Sequence, residues 1–214
     1  MTLKLLEELR LEHRLVDRVA GALVNFSAQM ETAEVVPEDA AGFVQFLRVF
    51  VVGFHHQREE EVLFPALVER TEVPADHGPL PVIVNEHREA AALADELEAA
   101  LGSCEIAAGV SRKLARHLWE HLDKEDSVLL PESEQRLLRN GVTRIEGRAP
   151  TREEEIARDL GAWLCERYPP VEDVEMVRGD GCVACSAFAD ACHGVEMEWW
   201  NHWDRDFQRS LGEG

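Results

Sequence analysis

His55-His56-Gln57-Arg58-Glu59-Glu60-Glu61-Val62-Leu63-Phe64-Pro65 returns further along the chain as His121-Leu122-Asp123-Lys124-Glu125-Asp126-Ser127-Val128-Leu129-Leu130-Pro131. Aligned without gaps, the first His, the Glu four residues on, Val, Leu and the closing Pro coincide. A shorter echo precedes each copy: Glu12-His13-Arg14 and Glu86-His87-Arg88. The chain therefore reads as two hairpins of one kind. Each carries a His, then His-x-x-x-Glu, then a Pro that ends or kinks its helix.

Working outward, Pro and Gly are sparse before residue 140, and the apolar spacing is helical. One helix is predicted from about Leu3 to Met30, with Leu5, Leu9, Val16, Ala20 and Leu23 on a stripe. A second starts at Pro37 and runs to about Arg70, followed by a loop rich in Pro and Gly. A third covers about Val82 to Leu101, with Gly102 just past its end. A fourth runs from about Ile106 to Leu138 and stops at Asn140-Gly141. No strand-like alternation intervenes, so the expected fold is all-α, an antiparallel four-helix bundle over residues 1–141. Residues 142–150 read as a linker. Thr151 and Glu154 have capping-box spacing for a fifth helix to about Arg167. Residues 142–214 form a helical, Cys-rich extension whose last part holds three of the five Cys and three of the five Trp.

Residues four apart share a helical face, about 6 Å apart. Val51, His55, Glu59, Val62 and Ala66 make one inward row; Leu114, Leu118, His121, Glu125 and Val128 make another. His13 lies between Leu9 and Val16, and His87 between Val84 and Ala91. All six polar residues interrupt rows that should face the core, where unpartnered imidazoles and carboxylates are costly. A shared cation removes that cost. Four His and two Glu exceed one tetrahedral zinc ion and suit two first-row ions bridged by the carboxylates. Nitrogen and oxygen donors without thiolate favour iron over manganese or zinc. The predicted ligands are His13, His55, Glu59, His87, His121 and Glu125, and the expected cofactor is two bridged non-haem Fe ions with an open position. His56 with Glu60 is a rival register one residue round the helix. His117 is either a fifth imidazole or a flank residue. Glu12 and Glu86 are expected at the surface, and Arg58, Glu60 and Glu61 on a solvated face or behind the ligands. Phe43, Phe46, Phe50 and Phe54 form an aromatic row expected in the core, with a small-molecule channel as the minor alternative.

These motifs resemble the hemerythrin-like (HHE cation-binding) family over roughly residues 1–140. Its His, His-x-x-x-Glu-Glu, Leu-Phe-Pro pattern is carried by His13 and His55 to Pro65, and again by His87 and His121 to Pro131. With two His-x-x-x-Glu copies, the chain looks most like the bacterial di-iron proteins linked to iron–sulfur-cluster repair and nitric-oxide stress. Oxygen-carrying hemerythrins add a His pair at i, i+4, and here His87 is followed four residues on by Ala91. They also use a final His-x4-Asp, a spacing that His121 and Asp126 satisfy, so Asp126 competes with Glu125. The resemblance implies a protein that binds or senses O2, NO or peroxide, or serves iron and oxidative-stress handling. A catalytic di-iron oxidase or peroxidase is one alternative. The other is a regulatory protein whose Cys-rich tail contacts a partner while the bundle metal acts as sensor or staple.

With 22 Lys and Arg against 42 Asp and Glu, the net charge of −20 predicts no nucleic acid and no anionic membrane as partner. No apolar run reaches the ~20 residues that span a bilayer. The opening MTLKLLEELRLEH has scattered charges and no cleavage site, which predicts no signal peptide and a reducing, cytoplasmic setting for the five Cys. Ferritin-like di-iron bundles need Glu-x-x-His, which is absent, as is His-Glu-x-x-His. In the tail, Cys182, Cys185 and Cys192 with His193, His202 or Cys165 offer three readings: a zinc knuckle, a redox thiol pair, or inert thiols.

Overall fold

The computed structural model describes residues 3–32, 37–76 and 78–171. The expectations for Cys182, Cys185 and Cys192 and for the Trp cluster of the tail lie outside the described residues. Helix α1 is Lys4–Thr32. Helix α2 spans residues 37–71 and α3 is Pro79–Ala100. Helix α4 spans residues 104–139, and α5 is Arg152–Arg167. Helices α1 to α4 form the bundle, with α4 packed between α1 and α3 and α2 closing the other side. The all-α four-helix bundle read from the hydrophobic spacing is the observed architecture.

Helices α2 and α4 are not uniform. Each contains a wide π-helical turn beginning at its glutamate, Glu59–Leu63 and Glu125–Leu129. Directly after it come Pro65 and Pro131. A proline cannot donate to the ladder, and its ring crowds the carbonyl four residues back. The widened turn meets that conflict: Phe64 N–H reaches Glu59 O and Leu130 N–H reaches Glu125 O, five residues back. The proline therefore does not end either helix. It does correct one predicted row. Beyond Glu59 the wide turn advances the inward face by a residue, so Leu63 and Leu67 are fully buried while Val62 and Ala66 are only half-buried. A longer π segment, Phe46–His56, occurs among the described residues in α2 alone.

The apolar core has two parts. One, at the end of the bundle carrying the chain start, gathers Leu3, Leu5, Leu6, Leu9, Leu63, Leu67, Ile83, Leu129 and Leu130. The other holds Val16, Phe26, Phe43, Phe46, Phe50, Leu97, Leu114 and Leu118. The predicted aromatic row is thus core packing, with Phe46 and Phe50 stacked at 5.3 Å. Between the two parts lies a polar layer made by the repeated His and Glu.

Beyond α4 the chain turns back on the bundle. Asn140-Gly141 ends α4, with Gly141 at φ +76° and Val142 N–H donating to Leu137 O at 2.9 Å. The linker then crosses the first hairpin: Leu5 N–H donates to Ile145 O, and Gly147 lies so close to Arg58 that a Cβ would come within 2.5 Å of its Nε. The Thr151–Glu154 capping box forms, and α5 packs on α1 and α2 with Ala157, Leu164 and Tyr168 in the core. Gly161 permits this approach, since its Cβ would meet the Phe46 ring at 2.4 Å.

Candidate metal centre

Four helices converge on the polar layer. His13 comes from α1, His55, His56 and Glu59 from α2, His87 from α3, and His121 and Glu125 from α4, all buried. Four imidazoles are held the same way. The Nδ1 of His13 donates to Asp126 at 2.7 Å, that of His55 to Glu12 at 2.9 Å, that of His87 to Glu60 at 2.7 Å and that of His121 to Glu86 at 3.0 Å. A carboxylate on Nδ1 fixes the tautomer, so the Nε2 lone pair faces the interior.

There the donors meet. Glu59 lies 3.7 Å from His13 Nε2, 3.8 Å from His55 Nε2 and 3.4 Å from His87 Nε2. Glu125 lies 3.3 Å from His13 Nε2, 3.8 Å from His87 Nε2 and 3.2 Å from His121 Nε2. None of these four Nε2 atoms and none of the four carboxylate oxygens has a hydrogen-bond partner. Buried polar groups go unpartnered rarely, because each costs ~1–3 kcal/mol or more. Eight in one layer, spaced like neighbours around ions with ~2 Å bonds, fit metal ligands. They group into two overlapping quartets, His13, His55, Glu59 and Glu125, and Glu59, His87, His121 and Glu125. Both share the two glutamates, which is the arrangement a bridged ion pair requires.

The electrostatics agree. Burial and the neighbouring charge of Glu125 oppose ionisation of Glu59, yet the surrounding histidines hold it down to about 2. Burial likewise opposes the charge on Glu125, but His121, His13 and His87 keep it well below the carboxylate range. Burial lowers His87, and contacts with Glu125, Glu59 and Glu60 outweigh it, pushing the imidazole up to about 11. His13 is raised too: burial is outweighed by Asp126, Glu125 and Glu59. The metal-free layer therefore keeps both acids ionised and gathers protons where cations would sit. His56 is the exception. Burial and the charges of His87 and His121 push it well below the usual imidazole range.

All six predicted ligands meet in this layer. Of the two registers on α2, Glu59 is fully buried whereas Glu60 is 38% exposed and holds His87. Glu125 is buried, and Asp126, 47% exposed, holds His13 instead. His117 sits on the flank, its Nε2 donating to Glu86 O at 2.9 Å. Glu12 and Glu86, expected at the surface, instead orient His55 and His121, and Arg58 and Lys124 bind them from behind. The signal was present: each Glu directly precedes a repeated His, and an acid follows each repeated Glu. A cleft of about 540 Å³, lined in part by His13, Asp17, Trp119, Asp123 and Asp126, opens beside the His13 end of the layer.

Residues 4–133 match the family described as Hemerythrin HHE cation binding domain. The chain belongs to this family. It is also similar to the iron-sulfur cluster repair protein YtfE of Edwardsiella ictaluri (strain 93-146), with 35% identity over 88 residues, 36% of this chain and 39% of that protein. The match thus spans well under half of that relative. No solved structure matches the chain. Among the described residues no helix is long and apolar enough to cross a membrane.

Proposed function

We propose that the bundle is a resident non-haem di-iron protein that binds or senses a small ligand, O2, NO or peroxide, in iron or oxidative-stress handling. The observation that carries this reading is the set of eight buried, unpartnered donor atoms on His13, His55, Glu59, His87, His121 and Glu125. When bound, a ferrous pair supplies electrons and coordination positions for such a ligand. The protein's part is to hold and shield it. Glu59 and Glu125, common to both quartets, would offset half of the four positive charges of the pair, and the four Nδ1 carboxylates keep the imidazoles aimed. The flanking leucines and phenylalanines keep bulk water out, while the His13 cleft offers a small ligand its approach. Among the described residues Cys104 and Cys165 form no disulfide.

Similarity to a protein named for iron–sulfur cluster repair supports a stress-linked role over plain oxygen carriage. The test is anaerobic loading with ferrous iron, metal analysis per chain, then exposure to NO, O2 and peroxide while recording the visible spectrum. Two irons per chain and a stable adduct with one ligand are expected. Turnover of peroxide moves the assignment to catalysis. A chain that takes up no iron, or iron blind to all three, overturns the reading.

A further inference from the structure

His56 has no role in the six-residue set, yet its side chain is 2% exposed and both ring nitrogens lack any hydrogen-bond partner. The four other histidines of the layer each have a carboxylate on Nδ1, and His56 has none. It lies flat against His87, with ring centroids 3.8 Å apart and planes 7° apart, and edge-on to His121 at 5.5 Å. One nitrogen from each of His56, His87 and His121 falls within 4.8 Å of the other two. A buried imidazole with both nitrogens unsatisfied is costly unless something accepts its lone pair.

The repeat sharpens the point. The residue that aligns with His56 is Leu122, 5% exposed in the apolar core. The backbone differs at the same place: α2 is π-helical from Phe46 to His56, whereas α4 is regular α-helix up to Lys124. A wider turn reduces the angle between successive side chains, so His55 and His56 both reach the layer. Backbone and sequence thus depart from the repeat together, and only on one side.

We infer that His56 is a further metal-ligating residue: it donates to the ion held by His87 and His121, so that ion takes three imidazoles while its neighbour, on His13 and His55, takes two. The inference rests on the proposed iron pair. Either nitrogen of His56 can serve, since no carboxylate selects the tautomer. The two ions are then inequivalent although the ligand repeat looks symmetric.

The experiment compares wild type with His56→Leu, which installs the residue of the second repeat, and with His56→Gln. Chains are loaded with 57-Fe(II) and examined by Mössbauer and X-ray absorption spectroscopy, with melting followed in metal-free and loaded forms. Expected in wild type are two equal quadrupole doublets and five imidazoles per iron pair. In both variants the imidazole number falls to four, and the doublets merge or one iron binds at least ~10-fold more weakly. The melting temperatures should move in opposite directions in His56→Leu: the metal-free form rises, because an unsatisfied buried group is gone, and the loaded form falls. Unchanged spectra with two irons retained overturn the inference alone. So does a variant destabilised equally, or unfolded, without metal, since that marks a packing role. A wild-type chain that binds no iron pair overturns the parent reading as well.

Discussion

The two hairpins are copies at the level of chemistry and diverge where the chain folds back over one of them. Glu12 orients His55 as Glu86 orients His121, and Arg58 backs Glu12 as Lys124 backs Glu86. Across the bundle, Asp126 holds His13 as Glu60 holds His87. The duplication therefore reaches the residues behind the ligands. But Arg58 is buried, bound also to Glu8, stacked on Phe54 and covered by the linker, whereas Lys124 is partly exposed. The lesson is that the six repeated donors and the acids and cations behind them keep the symmetry of the repeat, while His56 and the packing depart from it on the side that α5 and the linker cover.

The largest effect should come from the residues the halves share. Glu59→Ala and Glu125→Ala each remove a carboxylate common to both quartets, so each variant is expected to lose both ions rather than one. Metal analysis decides; if one glutamate proves dispensable, the halves are not equivalent at their centre. Next is the backing cation. Arg58→Met leaves Glu12 and Glu8 without it in a buried setting and should cost about 3–5 kcal/mol in urea unfolding. Lys124→Met, on the exposed side, should cost about 1 kcal/mol or less. Equal losses would mean that the linker contributes nothing to the first half.

A smaller, matched effect is expected behind the ligands. Glu12→Gln and Glu86→Gln should each weaken metal binding about 10–100-fold, by leaving one imidazole poorly aimed. Competition with a chelator measures this, and the two variants should agree. The smallest effect concerns α5. Pairing with Arg148 is the largest influence on the Glu154 carboxyl and, with the Thr151 contacts, outweighs the opposing effect of burial to hold it at about 2. A lowered folded-state value stabilises the protein above the ordinary carboxylate range. That stability is lost as pH falls from about 4.5 towards 2. With Arg148 38% exposed, about 1 kcal/mol is at stake after solvent screening. Acid titration of the melting temperature should show a shallower slope in Glu154→Gln than in wild type, the remainder coming from Glu59, Glu86 and Glu125, which titrate in both.

The sequence by itself determined the helices, the ends that caps mark and the inward direction of six donors, although α3 opens at Pro79, inside the stretch read as loop. Periodicity, caps and the i, i+4 repeat are local facts, and duplication let each copy check the other. Asn140-Gly141 and the Thr151–Glu154 box formed as read, because capping needs no distant partner. Only the tertiary structure decided the rest. Whether Glu12 faces water or the Nδ1 of His55 depends on where α2 lies beside α1. The inward step from Val62 to Leu63 depends on a π turn that periodicity counted at 3.6 cannot register. His56 looked like a competitor of His55 because a regular helix turns neighbouring side chains well apart; the widened turn brings both inside, where both are buried.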